Sequence, residues 1–554
     1  IKDAEDMMTK YGVNVLPIVK NNKYAGILTR EVVEKALFHG FHKSKCIDFS
    51  TIDAATVVTS TPIEEVEAIM IEQNQRFVPV LNGEMIEGAI TRTDIMRALY
   101  EDLLRKSRVS IGESTKSKAL NRFDRNVAAM MKDQLPDSLY QMLLRAGETA
   151  DAMGVGVYLV GGCVRDLLRR EENFDIDIVV EGDGIEFAKK LSQQIGAKVL
   201  THNRFGTASV IISSAGKKGE SLRIDIATSR TEYYESPATL PKVEISSIKK
   251  DLYRRDFTIN TLAVKLNKKY FGLLIDFFGG QRDLKDKQIR VLHNLSFVED
   301  PTRAFRAIRF SERFGFKLTK HTENLIKLAI KMDIFEKLSG SRIYDEIVLI
   351  FKETNPIKAL KRLGDYNLLN VIHKKLSFTP AIENLLVAVH ETMIWFDLLF
   401  LDEKYDKAII YIMALMDNLK HEEMKEALTR LMVSKQTEEK IIQDRYSSQE
   451  ILKRLNPDNP IEIYHLLAGR TMEAILLAMA SCKHNEKKKA ISQFLVELRT
   501  IKPIIKGKDL IDIGIHPGPI FSEIFSKILD EKLLKRLRTK EEEVEFARKI
   551  VALS

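Results

Sequence analysis

The 554-residue sequence predicts a multidomain α+β chain: a repeated α/β unit, a head of mixed β-sheet with helices, then an all-α body and tail. Three observations predict it. Two early segments repeat each other. A glycine turn is followed by an apolar strand that carries two aspartates. From about residue 320 onward, apolar residues recur at three- and four-residue steps with Lys and Glu between them.

Composition bounds the answer first. Apolar residues make up 45%, enough for several cores, and the length is too great for one. Lys and Arg number 86 against 78 Asp and Glu, a net charge of +8 that suggests a polyanionic partner. Cys46, Cys163 and Cys482 are odd in number and far apart, which argues against a disulfide framework or zinc ribbon and for a reducing, cytoplasmic setting. The apolar run NLLVAVHETMIWFDLLFL carries His390, Glu391 and Asp397, so it reads as a core helix and no membrane association is expected. His390 and Asp397 form no adjacent HD pair, so no second phosphohydrolase site is expected.

The repeat lies in LPIVKNNKYAGILTREVVEKAL, from Leu16, and VPVLNGEMIEGAITRTDIMRAL, from Val78. Pro17 matches Pro79, Gly26 matches Gly88, Thr29 matches Thr91 and Arg30 matches Arg92, at a constant offset of 62. Each unit reads as a helix, two short strands and another helix. The pair resembles cystathionine-β-synthase-type (CBS) repeats, placed at 1–105, with the first copy lacking its opening strand. That resemblance implies an adenosine-nucleotide ligand held by Thr91 and Asp94; the first copy has Thr29 but Val32 where the aspartate would be. The alternative is a packing or dimerisation module without a ligand. A Ser/Lys-rich linker is read over 106–125.

The head begins with VGVYLVGG, a buried strand ending in a glycine turn, and CVRDLLRR then opens a helix. Gly161 and Gly162 let the backbone approach a phosphate at a helix N-terminus, and Arg165, one turn in, can reach the same phosphate. In FDIDIVV the strand period puts Asp175 and Asp177 on one face and Ile176 and Ile178 on the other. Two neighbouring carboxylates repel unless a cation neutralises them, and Mg²⁺ prefers such oxygen ligands. SLRIDIATSR offers Asp225 as a third carboxylate, with Arg223 on its face. Two Mg²⁺ ions held there would suit in-line displacement at phosphorus, with ATP as substrate. The bland alternative is a pair of solvated aspartates on an edge strand.

GGCVRDLLRR followed by DIDIVVEGD resembles the opening motif of class II tRNA nucleotidyltransferases and bacterial poly(A) polymerases. Three further motifs resemble theirs in order: LYRRDFTINTLAV (Arg254, Arg255, Asp256, Asn260), IDFFGGQRDL (Asp276, Gly279, Gly280, Asp283) and EDPTRAFRAIRF (Asp300, Arg303, Arg306, Arg309). The resemblance implies a nucleotidyltransferase-type head at 126–270, a nucleotide-recognition neck at 271–345 and a helical, tRNA-binding body and tail at 346–554. It implies Asp175 and Asp177 as metal ligands, with Asp225 as third catalytic carboxylate. Gly161, Gly162, Arg165, Arg254, Arg255, Asp256, Asn260, Arg306 and Arg309 would serve the nucleotide. Asp300 and Arg303, three apart, share a face if helical, and the resemblance implies that they read the edge of the incoming base.

TEYYESPATLPKVEISSIKK, after Arg230, reads as a loop, and a full-length loop here implies A addition. GKDLIDIGIHPGPIFSEIFSKIL resembles a short motif in the tails of these enzymes. The expected activity is addition of the terminal A to tRNA ending in CC. The alternatives are complete CCA addition from CTP and ATP, poly(A) polymerisation, or an inactive RNA-binding regulator. The resemblance also implies tRNA contacts at the acceptor and T-arm, a separate CC-adding partner, a dimer through the CBS repeats and a further domain ahead of Ile1.

Overall fold

The structure, a computed structural model, describes residues 1–98, 125–203, 206–213, 221–234, 236–239 and 241–552. All but the last residue of the 106–125 linker lies outside these described residues. The chain forms two compact units, 1–338 and 339–554.

In the first unit the repeats fold as their alternation dictates. α1 (Lys2–Tyr11) stops at Gly12, whose φ of 62° supplies the left-handed turn. β1 (Val15–Lys20) and β2 (Lys23–Thr29) form a hairpin through Asn21 and Asn22, both at positive φ, the tight turn that asparagine tolerates. α2 (Arg30–Phe38) is capped by the Thr29 hydroxyl. The second copy gives α3 (Ile63–Glu72), β3 (Phe77–Asn82), β4 (Met85–Thr91) and α4 (92–98). The first copy packs on the neck: Leu28, Val33, Ala36 and Phe49 share one buried core with Leu295, Val298 and Ile334. Arg290 pairs with Asp53 at 2.6 Å at its rim.

The head is a seven-stranded mixed sheet. Its strands are β5 (Gly156–Val160), β6 (Ile176–Glu181), β7 (Lys198–His202), β8 (Thr207–Ser213), β9 (Ser221–Thr228), β12 (Ala263–Lys265) and β13 (Leu274–Ile275). Their order is β13-β12-β5-β6-β9-β8-β7, with only β6 and β9 parallel. α5 (Asp137–Met153) and α7 (Gly184–Ile195) cover one face, burying Leu143, Phe187 and Leu191 against Ile176, Ile178 and Ile224. The alternate residues, Val160, Asp177, Val179 and Asp225, therefore face the other side. Between β5 and β6 runs α6 (Gly162–Arg169).

Three local expectations change. The segment after Arg230 is not a plain loop: β10 (Arg230–Tyr233) and β11 (Lys242–Ile245) pair antiparallel, joining the β-formers Thr231, Tyr233, Val243 and Ile245, and lead into α8 (Ile248–Tyr253). Asp175 precedes β6 instead of lying within it. Asp300 and Arg303 share no helix: α9 (Ser296–Glu299) ends at Asp300, which has extended backbone, and α10 (Thr302–Phe314) begins after Pro301.

The second unit is helical throughout its described residues. α11 (Pro380–Asp397), α12 (Lys407–Leu415), α13 (Lys435–Arg454) and α14 (Met472–Ser481) pack together, and Tyr411 on α12 is buried with its ring stacked 5.2 Å from Phe351. His390 Nδ1 lies 2.7 Å from the Tyr411 hydroxyl, and Asp397 accepts from Tyr405 and Lys407. Around the GIHPGP turn, Leu510, Ile515, Ile524 and Ile528 form a small core. Among the described residues no helix is long and apolar enough to cross a membrane.

Candidate active site

β5 is followed by Gly161, with φ 77° and ψ −139°, a backbone that glycine adopts and L side chains rarely do. A Cβ there would come within 3.2 Å of Arg255 Nη1 and 3.3 Å of Asp177 Oδ2. The turn is thus wedged between an acid and a base.

Asp177 stands in register with Val160 on β5 and with Asp225 on β9. Burial, then Asp175, pushes its carboxyl up to about 6; Asp225 adds to this and Arg255 opposes it. Asp225 Oδ1 accepts from Ser209 Oγ at 2.5 Å and from Arg223 Nε at 2.9 Å. Asp175 is exposed at the strand's mouth, its N–H bonded to Asn173 Oδ1. A raised carboxyl beside two further aspartates is an under-compensated negative site, which fits a hard divalent cation. Among the described residues no three His, Cys, Asp or Glu side chains form a cage by themselves. Such a site suits Mg²⁺, which takes one or two carboxylates and fills its remaining positions with phosphate oxygens and water.

Opposite lies a wall of arginines, and the two walls bound a cleft of about 950 Å³. Arg254 is held by Asp251 at 2.8 Å and Glu232 at 2.7 Å, and Arg255 reaches the other Asp251 oxygen at 3.2 Å. Arg303 donates to Ser296 Oγ and to the Arg254 carbonyl, each at 2.8 Å. Arg306 makes a two-pronged bond to Asp256 Oδ2, at 2.9 and 2.7 Å. Arg309 is buried and lies 4.8 Å over the Phe310 ring. Asp300 accepts from the Thr302 N–H and hydroxyl, so its carboxylate is fixed in the cleft wall.

Arg165 is turned inward. Its Nε and Nη2 grip Asp166 at 2.8 and 2.7 Å, its Nη1 donates to Asn260 Oδ1 at 2.8 Å, and its guanidinium lies 4.5 Å over Phe314. Asn260 in turn donates to Asp256 Oδ1 at 2.9 Å. One continuous relay, Asp166–Arg165–Asn260–Asp256–Arg306, therefore ties α6 to α10. In the third motif, Asp276 caps the turn at Gly280 and Gln281, while Asp283 binds Thr258 and Arg290. Asp276, Gly279, Gly280 and Asp283 thus serve the scaffold behind the cleft.

Sequence reasoning passed over Asp251, Glu232, Tyr234 and Asp166. Asp251 had a signal, since it lies three and four residues before Arg254 and Arg255, which follow directly on the helix that carries it. Tyr234, buried beside Asp300 and Arg303, had none, because the segment that carries it has the composition of a loop. In the second CBS copy Asp94 Oδ2 accepts from the Thr91 N–H at 2.8 Å and hydroxyl at 2.6 Å, so the pair caps a helix whether or not it holds a ligand.

A mixed sheet bearing paired aspartates beside a glycine turn, faced by an arginine helix, defines a nucleotidyltransferase head. Comparison with known proteins agrees. Residues 157–290 match the poly A polymerase head domain, 315–379 the probable RNA and SrmB-binding site of polymerase A, and 1–39 and 47–101 the CBS domain. The chain is 41% identical over 554 residues to the A-adding tRNA nucleotidyltransferase of Geobacter sulfurreducens, covering 99% of this chain and spanning 62% of that protein's length. It is 30% identical to the A-adding tRNA nucleotidyltransferase of Halalkalibacterium halodurans, over 76% of this chain and 95% of that one. A solved CCA-adding enzyme in complex with ATP superposes with a TM-score of 0.64 at 35% identity, covering 78% of this chain and all of that one. The chain belongs to the tRNA nucleotidyltransferase and poly(A) polymerase family.

Proposed function

We propose that this chain adds the terminal A to tRNA ending in CC, transferring AMP from ATP and releasing pyrophosphate. The observation that carries the reading is the cleft itself: Asp177 and Asp225, in register on one sheet face, line it together with Arg303 and Arg306. The A-adding relatives favour A over complete CCA addition.

Asp175 and Asp177 would hold two Mg²⁺ ions, with Asp225 as the third carboxylate. When bound, such ions supply Lewis acidity at the attacking 3′ oxygen and the leaving pyrophosphate. Gly161 and Gly162 bring backbone close to the triphosphate, because a side chain at Gly161 would fill the space. Arg254 and Arg255, braced by Asp251, present positive charge to the phosphates. Arg309 continues that charge, and Arg306, held in place by Asp256, lines the same cleft and supports the nucleotide. Asp300 accepts from, and Arg303 donates to, the base edge, a pattern that adenine or cytosine can match and guanine or uracil cannot. The 3′ hydroxyl of the tRNA attacks the α-phosphorus, the bond to the β-phosphate oxygen breaks, and the hydroxyl proton leaves to solvent.

In this reading the protein works in the cytoplasm beside a separate CC-adding enzyme, and the CBS repeats pair two copies. The test is label incorporation from ATP and from CTP, each alone, on tRNA ending at the discriminator base and on tRNA ending in CC. One A on the CC-ended tRNA alone supports the proposal. CTP uptake on the shorter tRNA would replace it with complete CCA addition, and long A tracts on general RNA with poly(A) polymerisation.

A further inference from the structure

The first CBS repeat touches two residues that adjoin the nucleotide site in the chain. α2 lies against Tyr253, the last residue of α8, and against Glu299, the last residue of α9. The Tyr253 hydroxyl donates to Glu31 Oε1 at 2.8 Å. Lys35 Nζ is 3.2 Å from Glu299 Oε1 and 3.6 Å from Glu31 Oε1, so one cation joins both contacts. The same ammonium sits 5.6 Å over the Tyr253 ring. On the inner side, His293 Nε2 lies 3.3 Å from Glu299 Oε2, and the His293 ring packs 5.6 Å from that of Tyr253.

The positions of these residues give the contacts their meaning. Tyr253 is bonded through the chain to Arg254, and Glu299 to Asp300. The Arg254 carbonyl also receives Arg303 Nη2 at 2.8 Å. Two of the segments that place such residues, α8 ahead of Arg254 and α9 ahead of Asp300, thus end in a side chain gripped by α2. Docking alone does not require this. The apolar core shared by Leu28, Val33, Leu295 and Val298 already joins the repeat to the neck. Glu299 is only 7% exposed, and burying a carboxylate costs free energy unless its partners are well placed.

We propose that Glu31 and Lys35 are positioning residues for nucleotide selection, which through Tyr253 and Glu299 set where Arg254 and Asp300 stand. The inference rests on the nucleotide site described above. It makes the CBS repeat part of the selectivity apparatus, and anything that shifts α2 is felt as a change in nucleotide affinity.

The test uses the full chain and three variants, Lys35→Met, Lys35→Arg and Tyr253→Phe. The readouts are kcat and KM for ATP on CC-ended tRNA, the ATP-over-CTP preference, equilibrium binding of ATP with Mg²⁺, and melting temperature. Lys35→Met is expected to raise the ATP KM and Kd about fivefold, the worth of one ordinary hydrogen bond, and to lower the preference while kcat stays within about twofold. Tyr253→Phe shifts them in the same direction, and Lys35→Arg restores wild-type values. Unchanged KM, Kd and preference in both Lys35→Met and Tyr253→Phe would overturn the proposal. So would a drop in kcat and melting temperature together at constant KM, which marks a merely structural contact. Should the wild type add no nucleotide, the functional reading falls. The ATP Kd of Lys35→Met against wild type then decides the positioning role by itself: a fivefold weakening upholds it and equality refutes it.

Discussion

Asp177 and Asp225 stand directly opposite each other across the parallel β6–β9 pair, and both line the cleft. Neighbouring strands run about 5 Å apart, so the fold itself brings these two like charges together. Burial of Asp177, then the charge of Asp175 and last that of Asp225, makes this placement costly to stability, and that cost is measurable.

Asp177→Asn is expected to stabilise the metal-free protein at pH 7 while abolishing transfer. The unfolded carboxyl titrates near 3.8 and the folded one near 6, so the folded state retains a proton that the unfolded state has lost between those values. The stability held below 3.8 is therefore lost as pH rises through 6, by roughly 3 kcal/mol at most. Melting of wild type and variant in EDTA from pH 4 to 8 checks this. The variant should gain most above pH 6, and Mg²⁺ should raise the wild-type melting temperature but not the variant's.

Arg306→Met should destabilise the head by about 3 kcal/mol, because it leaves the Asp256 carboxylate buried without its cation. Burial pushes that carboxyl up, but Arg306 and Asn260 outweigh burial and hold it below its ordinary value. The wild-type pair contributes stability above pH 3.8 that is lost as pH falls through the depressed value. The destabilisation seen by denaturant titration at pH 7 should persist to pH 4 and shrink only on acidification below 3.8.

Gly161→Ala is expected to cost ~1–3 kcal/mol in stability from its positive φ, and to cut ATP use disproportionately. The added methyl meets Arg255 and Asp177, so single-turnover rates should fall further than tRNA affinity.

Asp300→Ala should lower discrimination between ATP and GTP by ~10-fold or more, with tRNA binding unchanged, since an acceptor at the base edge is removed. Competition between labelled ATP and unlabelled GTP reads this directly.

The legible parts of the molecule were those set by short-range chemistry. Strand alternation placed Ile176 and Ile178 in the core and Asp177 on the far face. The 62-residue offset gave both CBS hairpins, because Asn21–Asn22 and the Gly83 turn are local signals. Less legible was whatever depends on which partner a polar side chain finds. Arg165 could reach a phosphate by spacing alone, yet Asp166 and Asn260 capture it. Asp300 and Arg303 looked like one helix face, but Pro301 starts a new helix between them. The hairpin that carries Tyr234 has strands too short and too exposed to show a period.

The most direct test of the central claim is single-turnover transfer of labelled AMP from ATP to CC-ended tRNA, with wild type and Asp177→Asn side by side and tRNA binding measured on both. The account predicts one A added by the wild type and none by the variant, which still binds tRNA. Transfer by Asp177→Asn at a rate near wild type would contradict it, since the acidic pair would then not be the catalytic centre.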